Sequence, residues 1–271
     1  MTRQYCHIGT RTIAYLDSAP GDTALRTYVL LHAFPLGANM WEPQIHSIPK
    51  GWRLITPDLR GFGGSTELES PSSPAIGDYA DDVVDLLGEL SIERAVIGGL
   101  SMGGYAVFAL LQSKPEIIEA LILADTRAGA DSPEGRANRR NMLALVDREG
   151  PQGVAKEMMP KLLGKTTLET NQTAEATVRR LIKQQSPVAI RGAINRMMHR
   201  PDSTALLATI GVPTLVITGE EDTLIPDQEA EKMAAAIKGS QLVKIPAAGH
   251  LSNLEQPDAF NRALSAFLVS L

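Results

Sequence analysis

The stretch Ala95-Val96-Ile97-Gly98-Gly99-Leu100-Ser101-Met102-Gly103-Gly104 decides the fold. Its first residues, Ala95 to Gly98, have the composition of a short buried strand, and the apolar residues from Gly104 to Gln112 are typical of a helix. The pattern Gly-x-Ser-x-Gly lies between the two. Its glycines leave room for the strand and the helix to cross, and its serine is held in a strained backbone conformation. We therefore predict that Ser101 is a nucleophile exposed above a sheet. The alternative interpretation is a glycine-rich turn with an incidental serine.

Elsewhere in the chain, short runs rich in β-branched residues alternate with helical stretches. The runs cover residues 12 to 16, 27 to 31, 53 to 57, 94 to 98, 119 to 124, 212 to 218 and 241 to 245. This alternation predicts an α/β fold, with a mostly parallel eight-stranded sheet that has helices on both faces. The eighth strand is residues 3 to 8, which pair with the first run as an antiparallel hairpin at the sheet edge. Two of the predicted helices cover residues 76 to 90 and 252 to 271.

The alternation stops between Thr126 and Thr209, where several helical segments follow one another. Serine-proline pairs at 132–133 and 186–187 indicate helix starts, while Gly150 and Gly164 indicate helix ends. We expect four helices that form a cap above the sheet, as an insertion in a single domain. The predicted core is residues 1–126 and 210–271, and the predicted cap is residues 127–209.

Composition limits the classes of function. The chain has 271 residues, of which 44% are hydrophobic and 21% charged, as in an ordinary globular domain. The apolar runs have the length of strands, and no apolar stretch follows Arg3, so we expect neither a membrane span nor a secretory signal. The cytoplasm is the expected location. The net charge of -5, without a basic block, makes nucleic acid an unexpected partner, and a homo-oligomer is compatible with this composition.

The sequence also predicts a protein without cofactors. Cys6 is the single cysteine and cannot form an internal disulfide, and the patterns CxxC and HExxH are absent, so no metal site is expected. Neither a phosphate-binding loop nor a dinucleotide-binding fingerprint is present.

A serine hydroxyl is a weak nucleophile at neutral pH and needs a base within hydrogen-bonding reach. His250 follows the predicted strand 241 to 245 through a short loop, which places it at the same sheet edge as Ser101. The other histidines have predicted positions that favour surface, packing or supporting roles: His7 on the hairpin, His32 in a loop, His46 in a helix and His199 in the cap. We predict that His250 is the base.

A third group must orient the imidazole. Asp222 follows the strongly apolar run 212 to 218 and is our prediction for this acid, which gives the chain order Ser, Asp, His. Glu221 is adjacent, and Asp125 ends the predicted strand 119 to 124. Both remain open as alternatives.

Acyl transfer also needs backbone donors for the developing oxyanion. The amide of Met102 begins the helix after Ser101 and is one expected donor. The second is expected in the loop His32-Ala33-Phe34-Pro35, where Phe34 has the better-placed amide. His32 is then expected to support that loop by hydrogen bonding.

The substrate pocket is predicted to be mainly apolar, which favours small or medium hydrophobic acyl esters. The predicted pocket residues, in addition to Phe34, are Trp41, Met142, Met158, Met159 and Met197. An alternative role for the methionines is packing of the cap on the core. A lactone that carries a negative charge would need a cation near the site. The candidates in or beside the cap are Arg127, Arg136, Arg139, Arg140, Arg191 and Arg196.

Five motifs together resemble a known family in order and spacing. They are HAFP at 32 to 35, DLRGFGGS at 58 to 65, GLSMGG at 99 to 104, GEEDTLIP at 219 to 226 and AAGH at 247 to 250. The chain resembles, over nearly its whole length, the α/β-hydrolase fold superfamily, particularly its bacterial carboxylesterase and 3-oxoadipate enol-lactonase-like branch. Relatives with an aspartate nucleophile, such as epoxide hydrolases and haloalkane dehalogenases, would carry Asp at position 101.

The resemblance implies a serine hydrolase that cleaves a carboxylic ester through an acyl-enzyme, with a small-molecule ester or lactone as its partner. Alternatives on the same fold are an enol-lactone hydrolase and a cofactor-free perhydrolase, and an alternative from another class is a ligand receptor. Asp58, Arg60 and residues 61 to 65 resemble the family's ordering loop, so a structural role is expected for them.

Overall fold

In a computed structural model of the chain, which describes residues 2–66 and 74–271, an eight-stranded sheet forms the centre of the fold. The strands are β1 (Arg3–Ile8), β2 (Arg11–Asp17), β3 (Arg26–Leu31), β4 (Trp52–Pro57), β5 (Ala95–Leu100), β6 (Ile118–Ala124), β7 (Thr214–Gly219) and β8 (Gln241–Ile245). Their order across the sheet is β1-β2-β4-β3-β5-β6-β7-β8. The two pairs β1–β2 and β2–β4 are antiparallel and the other five pairs are parallel. The predicted fold class is confirmed.

The helices fill the connections between the strands. They are α1 (Glu42–Ile45), α2 (Gly77–Glu89), α3 (Met102–Ser113), α4 (Pro133–Leu162), α5 (Lys165–Thr170), α6 (Gln172–Lys183), α7 (Pro187–Met198), α8 (Asp227–Ala236), α9 (Ser252–Glu255) and α10 (Pro257–Ser270). Short 3-10 helices cover Ala38–Trp41, Pro115–Ile117 and Thr204–Thr209. Within residues 2–66 and 74–271, none of the helices combines the length and the apolar character needed to cross a lipid bilayer.

The central strands are buried on both faces. Every residue of β4, β5 and β7 is buried, which requires a covering layer above and below the sheet. Helix α3 packs on β3, β5 and β6, helix α8 packs on β7 and β8, and α10 packs on β8. The edge strand β8 is more exposed, with solvent on Gln241 and Leu242.

Four helices, α4 to α7, follow one another between β6 and β7, as the sequence predicts. Serine caps begin two of them, because the Ser132 hydroxyl accepts a hydrogen bond from the amide of Gly135 and the Ser186 hydroxyl accepts one from the amide of Ala189. At Gly150 the backbone leaves helical geometry, with φ of 60°, so α4 is kinked there. Helix α4 packs against both α6 and α7.

The C-terminal helix differs from the prediction. In place of one helix over 252 to 271, the chain forms α9 and α10 with a break at Gln256, whose φ and ψ are -131° and 63°. The reason is Pro257, because the proline ring disfavours helical geometry in the preceding residue.

Candidate active site

Ser101 lies at the sharp turn between β5 and α3. Its backbone has φ of 55° and ψ of -111°, a strained conformation for a residue with a side chain. The turn is tight: a Cβ on Gly99 would lie 2.2 Å from the carbonyl carbon of Gly103, and a Cβ on Gly103 would lie 2.2 Å from the carbonyl oxygen of Leu31. Only glycine fits at both positions, and the turn directs the serine hydroxyl into a cavity above the strand ends.

His250 lies in the loop between β8 and α9, within hydrogen-bonding distance of the serine. Its Nε2 is 2.8 Å from Ser101 Oγ. The imidazole is 2% exposed, so the contact is shielded from bulk water.

Asp222 completes the chain of contacts, since its Oδ2 is 2.7 Å from His250 Nδ1. Its other oxygen, Oδ1, accepts hydrogen bonds from the amides of Leu224 at 2.8 Å and Ile225 at 3.0 Å. The two amides fix the carboxylate so that Oδ2 faces the imidazole. The structure therefore brings together the three side chains that the sequence predicts as nucleophile, base and acid.

The two alternative acids have different partners. Glu221 accepts hydrogen bonds from the amide and the hydroxyl of Thr166, at the start of α5. Asp125 is fully buried and binds the amide of Gly219 and the hydroxyl of Ser252. Neither carboxyl group is hydrogen-bonded to the imidazole.

The electrostatics of His250 reflect two opposing effects. Burial by itself lowers the pKa of an imidazole, because it penalises the charged form. The carboxylate of Asp222 opposes this through its charge and its hydrogen bond, and the net result is a pKa of His250 raised above its ordinary value. The site thus stabilises an imidazolium.

The loop after β3 carries the predicted second oxyanion donor. Phe34 lines the same cavity as Ser101 and His250. Within the described ranges, neither the amide of Phe34 nor that of Met102 donates a hydrogen bond to a protein acceptor.

His32 supports this loop. Its Nδ1 lies 3.0 Å from the carbonyl oxygen of Ala33, and its Nε2 accepts a hydrogen bond from the amide of Leu59 at 2.9 Å. Burial lowers the pKa of His32, which is consistent with a neutral ring that uses one nitrogen as donor and the other as acceptor.

The residues of the expected ordering loop make structural contacts. Asp58 accepts hydrogen bonds from the amides of Ala38 at 2.8 Å and Gly64 at 3.1 Å, and pairs with Arg3. Arg60 forms a two-pronged ion pair with Asp82 of α2. These contacts join the loop to β1, to the 3-10 helix Ala38–Trp41 and to α2.

The cavity above Ser101 has a volume of about 620 Å³. This is within the range of ~300–1,000 Å³ that is typical of small-molecule sites. Of the predicted pocket residues, Phe34, Met142, Met158 and Met197 line it.

Trp41 and Met159 are corrections to the predicted pocket, since neither side chain lines this cavity. Trp41 is fully buried against Phe260, with ring centroids 6.1 Å apart. Met159 is also buried, and it faces away because neighbouring positions of a helix are rotated by ~100° from each other. Both side chains belong to the hydrophobic core.

The cavity is also less apolar than predicted. Four basic side chains line it, together with two acidic ones: Arg127, Arg139, Arg148 and Lys161, and Asp131 and Glu157. Its lining therefore has an excess of two positive charges. Of the other predicted cations, Arg191 pairs with Asp147 at the surface, and Arg196 is buried and pairs with Asp78.

A buried carboxylate that the sequence analysis missed connects the histidine loop to α5. Glu255 accepts hydrogen bonds from the amides of Gly249 at 2.9 Å, Leu251 at 3.1 Å and Gly164 at 2.7 Å. Gly164 and Gly249 approach so closely that a Cβ on Gly249 would lie 2.3 Å from the Gly164 nitrogen. The sequence indicates this role only through a glutamate five residues after the predicted base, and the segment around it has the pattern of an ordinary helix start.

The described parts of the chain contain no group of three or more His, Cys, Asp or Glu side chains placed to hold a metal ion. The site itself brings a hydroxyl, an imidazole and a carboxylate into contact. These are the groups needed to activate a serine for attack on a carbonyl carbon.

Comparison with known proteins finds relatives that match most of the chain. Residues 28–257 match the protein family described as having the alpha/beta hydrolase fold. The 3-oxoadipate enol-lactonase 1 of Acinetobacter baylyi is 29% identical over 236 residues, which cover 86% of this chain and 85% of that protein.

Two solved structures are similar over almost the whole chain. A thermophilic esterase from Thermogutta terrifontis with bound malate has a TM-score of 0.91 and 37% identity, and the match covers 100% of this chain and 99% of that one. The enol-lactonase from Burkholderia xenovorans has a TM-score of 0.88 and 27% identity, with 98% and 100% coverage.

Proposed function

Because the chain belongs to the α/β-hydrolase fold family, we propose that it is a serine hydrolase that cleaves carboxylic esters with small or medium, largely apolar acyl groups. The observation that carries this proposal is the continuous contact from Asp222 through His250 to Ser101, at the base of a cavity large enough for such a substrate. Apolar side chains for the acyl group are present in the lining: Phe34, Met142, Met158, Met197, Leu224 and Ile225.

The reaction proceeds in two halves. His250 Nε2 takes the proton from Ser101 Oγ as the oxygen attacks the ester carbonyl carbon, and Asp222 stabilises the resulting imidazolium. The imidazolium returns its proton to the departing alcohol oxygen, which leaves an acyl group on Ser101. Water, deprotonated by the same imidazole, then attacks the acyl-enzyme and releases the acid.

In each half the carbonyl oxygen becomes negatively charged. The amides of Phe34 and Met102 are the proposed donors for this oxyanion. Their support is that Phe34 lines the cavity beside Ser101, that Met102 begins α3, and that neither amide is used elsewhere in the described ranges. The N-terminus of α3 adds a favourable dipole for negative charge.

We also propose that residues 127–209 act as a cap that selects the substrate. The support is that the cavity is lined from both parts of the chain: Ser101 and His250 from the predicted core, and Met142, Met158 and Met197 from α4 and α7. Differences in these helices would then change specificity without altering the catalytic groups.

The test is the Ser101→Ala variant, assayed with a short p-nitrophenyl ester and with a fluorophosphonate that labels activated serines. We expect kcat to fall by about a millionfold and labelling to be lost, while folding is retained. Ser113→Ala, at the exposed end of the same helix, is the matched control and keeps both properties. More than a few per cent of the wild-type turnover in Ser101→Ala would refute the proposal. Steady turnover by the wild type would exclude a receptor as its main role.

A second candidate, hydrolysis of an anionic enol-lactone, is favoured by the basic side chains in the cavity. Arg139 and Arg127 both contact Asp131, and both line the cavity. A guanidinium has five N–H donors, so the contact with Asp131 leaves further donors on each side chain for a substrate carboxylate.

If the substrate is an anionic enol-lactone, removing a positive charge from the cavity should weaken its binding but not that of a neutral ester. Arg139→Met should raise KM for an anionic enol-lactone more than tenfold and leave KM for a neutral ester almost unchanged. Arg136→Met, an exposed arginine on the same helix that does not line the cavity, is the control. Equal effects of Arg139→Met on both substrates would reject the anionic substrate.

A further inference from the structure

Three consecutive residues at the end of β6 contact the segments that carry all three catalytic side chains. The carbonyl oxygen of Ala124 accepts a hydrogen bond from the amide of Ser101 at 2.9 Å. The hydroxyl of Thr126 donates to the carbonyl oxygen of Ser101 at 2.8 Å. Asp125, between them, has a positive φ of 44°, so its side chain points in a direction that regular strand geometry would not give.

The carboxyl group of Asp125 joins the other two segments. Its Oδ1 accepts a hydrogen bond from the amide of Gly219 at 2.8 Å, three residues before Asp222. Its Oδ2 is 2.5 Å from the hydroxyl of Ser252, two residues after His250. The group is completely buried, so no solvent competes for either contact.

We propose that Asp125 is a positioning residue of the catalytic triad, whose carboxyl group fixes the loop of Asp222 relative to the loop of His250. The inference rests on the serine hydrolase function proposed above. Asp125 forms no hydrogen bond with the imidazole and does not line the cavity, so it acts through the two loops. A shift of either loop would lengthen the contact between Asp222 and His250, on which proton transfer from Ser101 depends.

The charge state of Asp125 is consistent with this role. Burial, and next the negative charge of Asp222, raise the pKa of Asp125 to about 8, against the opposing effects of His250, the Ser252 hydroxyl and the Gly219 amide. Oδ1 accepts from the amide of Gly219, and Oδ2 accepts from the hydroxyl of Ser252. Because the pKa is raised, ionisation of Asp125 and the repulsion with Asp222 that comes with it are shifted to higher pH.

Two variants of Asp125 distinguish the effect of its hydrogen bonds from the effect of its ionisation. Asp125→Ala removes both contacts, and we expect kcat to fall by about 100-fold with little change in KM, because misplaced catalytic groups cost rate rather than binding. Asp125→Asn keeps an acceptor for the amide of Gly219, and its side-chain nitrogen donates to the Ser252 oxygen once that hydroxyl turns, so most of the lost kcat should be recovered. It cannot ionise. The wild type should lose kcat above pH 8 as the two carboxylates repel each other, whereas the asparagine variant should not.

The measurements are kcat and KM on a p-nitrophenyl ester from pH 5 to 10, together with the rate of fluorophosphonate labelling of Ser101. If Asp125→Ala keeps the wild-type kcat, or if Asp125→Asn keeps the wild-type loss of rate above pH 8, the proposal is wrong. Should Asp125→Ala fail to fold, the pH profile of Asp125→Asn decides. A wild type that is neither labelled nor active would instead refute the serine hydrolase function itself, which separates the two failures.

Discussion

Asp222→Asn is a small change in shape with a large expected effect. Asp222 Oδ1 accepts hydrogen bonds from two amides, those of Leu224 and Ile225, so the asparagine oxygen must take this position. The amide nitrogen then faces His250 Nδ1 and donates to it. That contact places the ring proton on Nε2, which faces Ser101 Oγ. The imidazole becomes a donor toward the hydroxyl and can no longer accept its proton.

The expected loss follows from this change of tautomer. A base in the wrong tautomer, with no carboxylate to stabilise the imidazolium, lowers kcat by ~10⁴ in a serine triad. This corresponds to about 5.4 kcal/mol of transition-state stabilisation. KM should change little, because Asp222 does not line the substrate cavity.

The assay is steady-state hydrolysis of a p-nitrophenyl ester near pH 8, with Glu221→Gln as the matched control. Glu221 is the adjacent acid and its side chain binds Thr166 rather than the imidazole, so its amide variant should remain within tenfold of the wild type. An Asp222→Asn protein with more than a tenth of the wild-type kcat would refute the reasoning. So would a Glu221→Gln protein as impaired as Asp222→Asn.

Three further predictions concern pH and stability. His250 must be neutral to act as base and its pKa is raised, so kcat/KM should fall as pH decreases through a midpoint above the ordinary pKa of histidine, and a midpoint at or below that ordinary value would contradict this. Arg53→Met leaves the buried carboxylate of Asp17 without its ion-pair partner and should lower the free energy of unfolding, measured by urea titration, by ~3–5 kcal/mol. The double variant with Arg53→Met and Asp17→Leu should regain most of the lost stability. Gly103→Ala places a Cβ 2.2 Å from the carbonyl oxygen of Leu31 and should lower both the melting temperature and kcat, so a variant with wild-type values of both would mean that the turn can relax.

Much of the fold, and the proximity of Ser101, His250 and Asp222, could be predicted because both depend on local signals. Each of the eight strands was marked by its own residues, and Ser101 was marked by glycines that a crossing strand and helix require. The choice between Asp222 and Glu221 was harder, because adjacent loop residues point in different directions. In the structure, Asp222 contacts the imidazole, and the amides of Leu224 and Ile225, which follow it in the chain, orient its carboxylate.

The lining of the cavity could not be predicted in the same way. Met158 and Met159 are neighbours on α4 and both are buried in the core, yet only Met158 lines the cavity, and the rotation of the helix in the folded chain decides this. Trp41 is an aromatic residue near the Phe34 loop, but its packing against Phe260 depends on a helix more than 200 residues later in the sequence. The helix break at Gln256 could have been predicted, because the proline that follows it disfavours helical geometry in the preceding residue.

The contact of Gly164 with Gly249 has a consequence for how the specificity of such a chain can diverge. The start of α5 is bound through Glu221 and Glu255 to the two loops that carry Asp222 and His250, so its displacement should shift these loops. Among the described residues, the side chains of α4 that line the cavity form no hydrogen bond with either of these loops. Substitutions should therefore accumulate on α4 when a new substrate is selected, while the beginning of α5 stays the same.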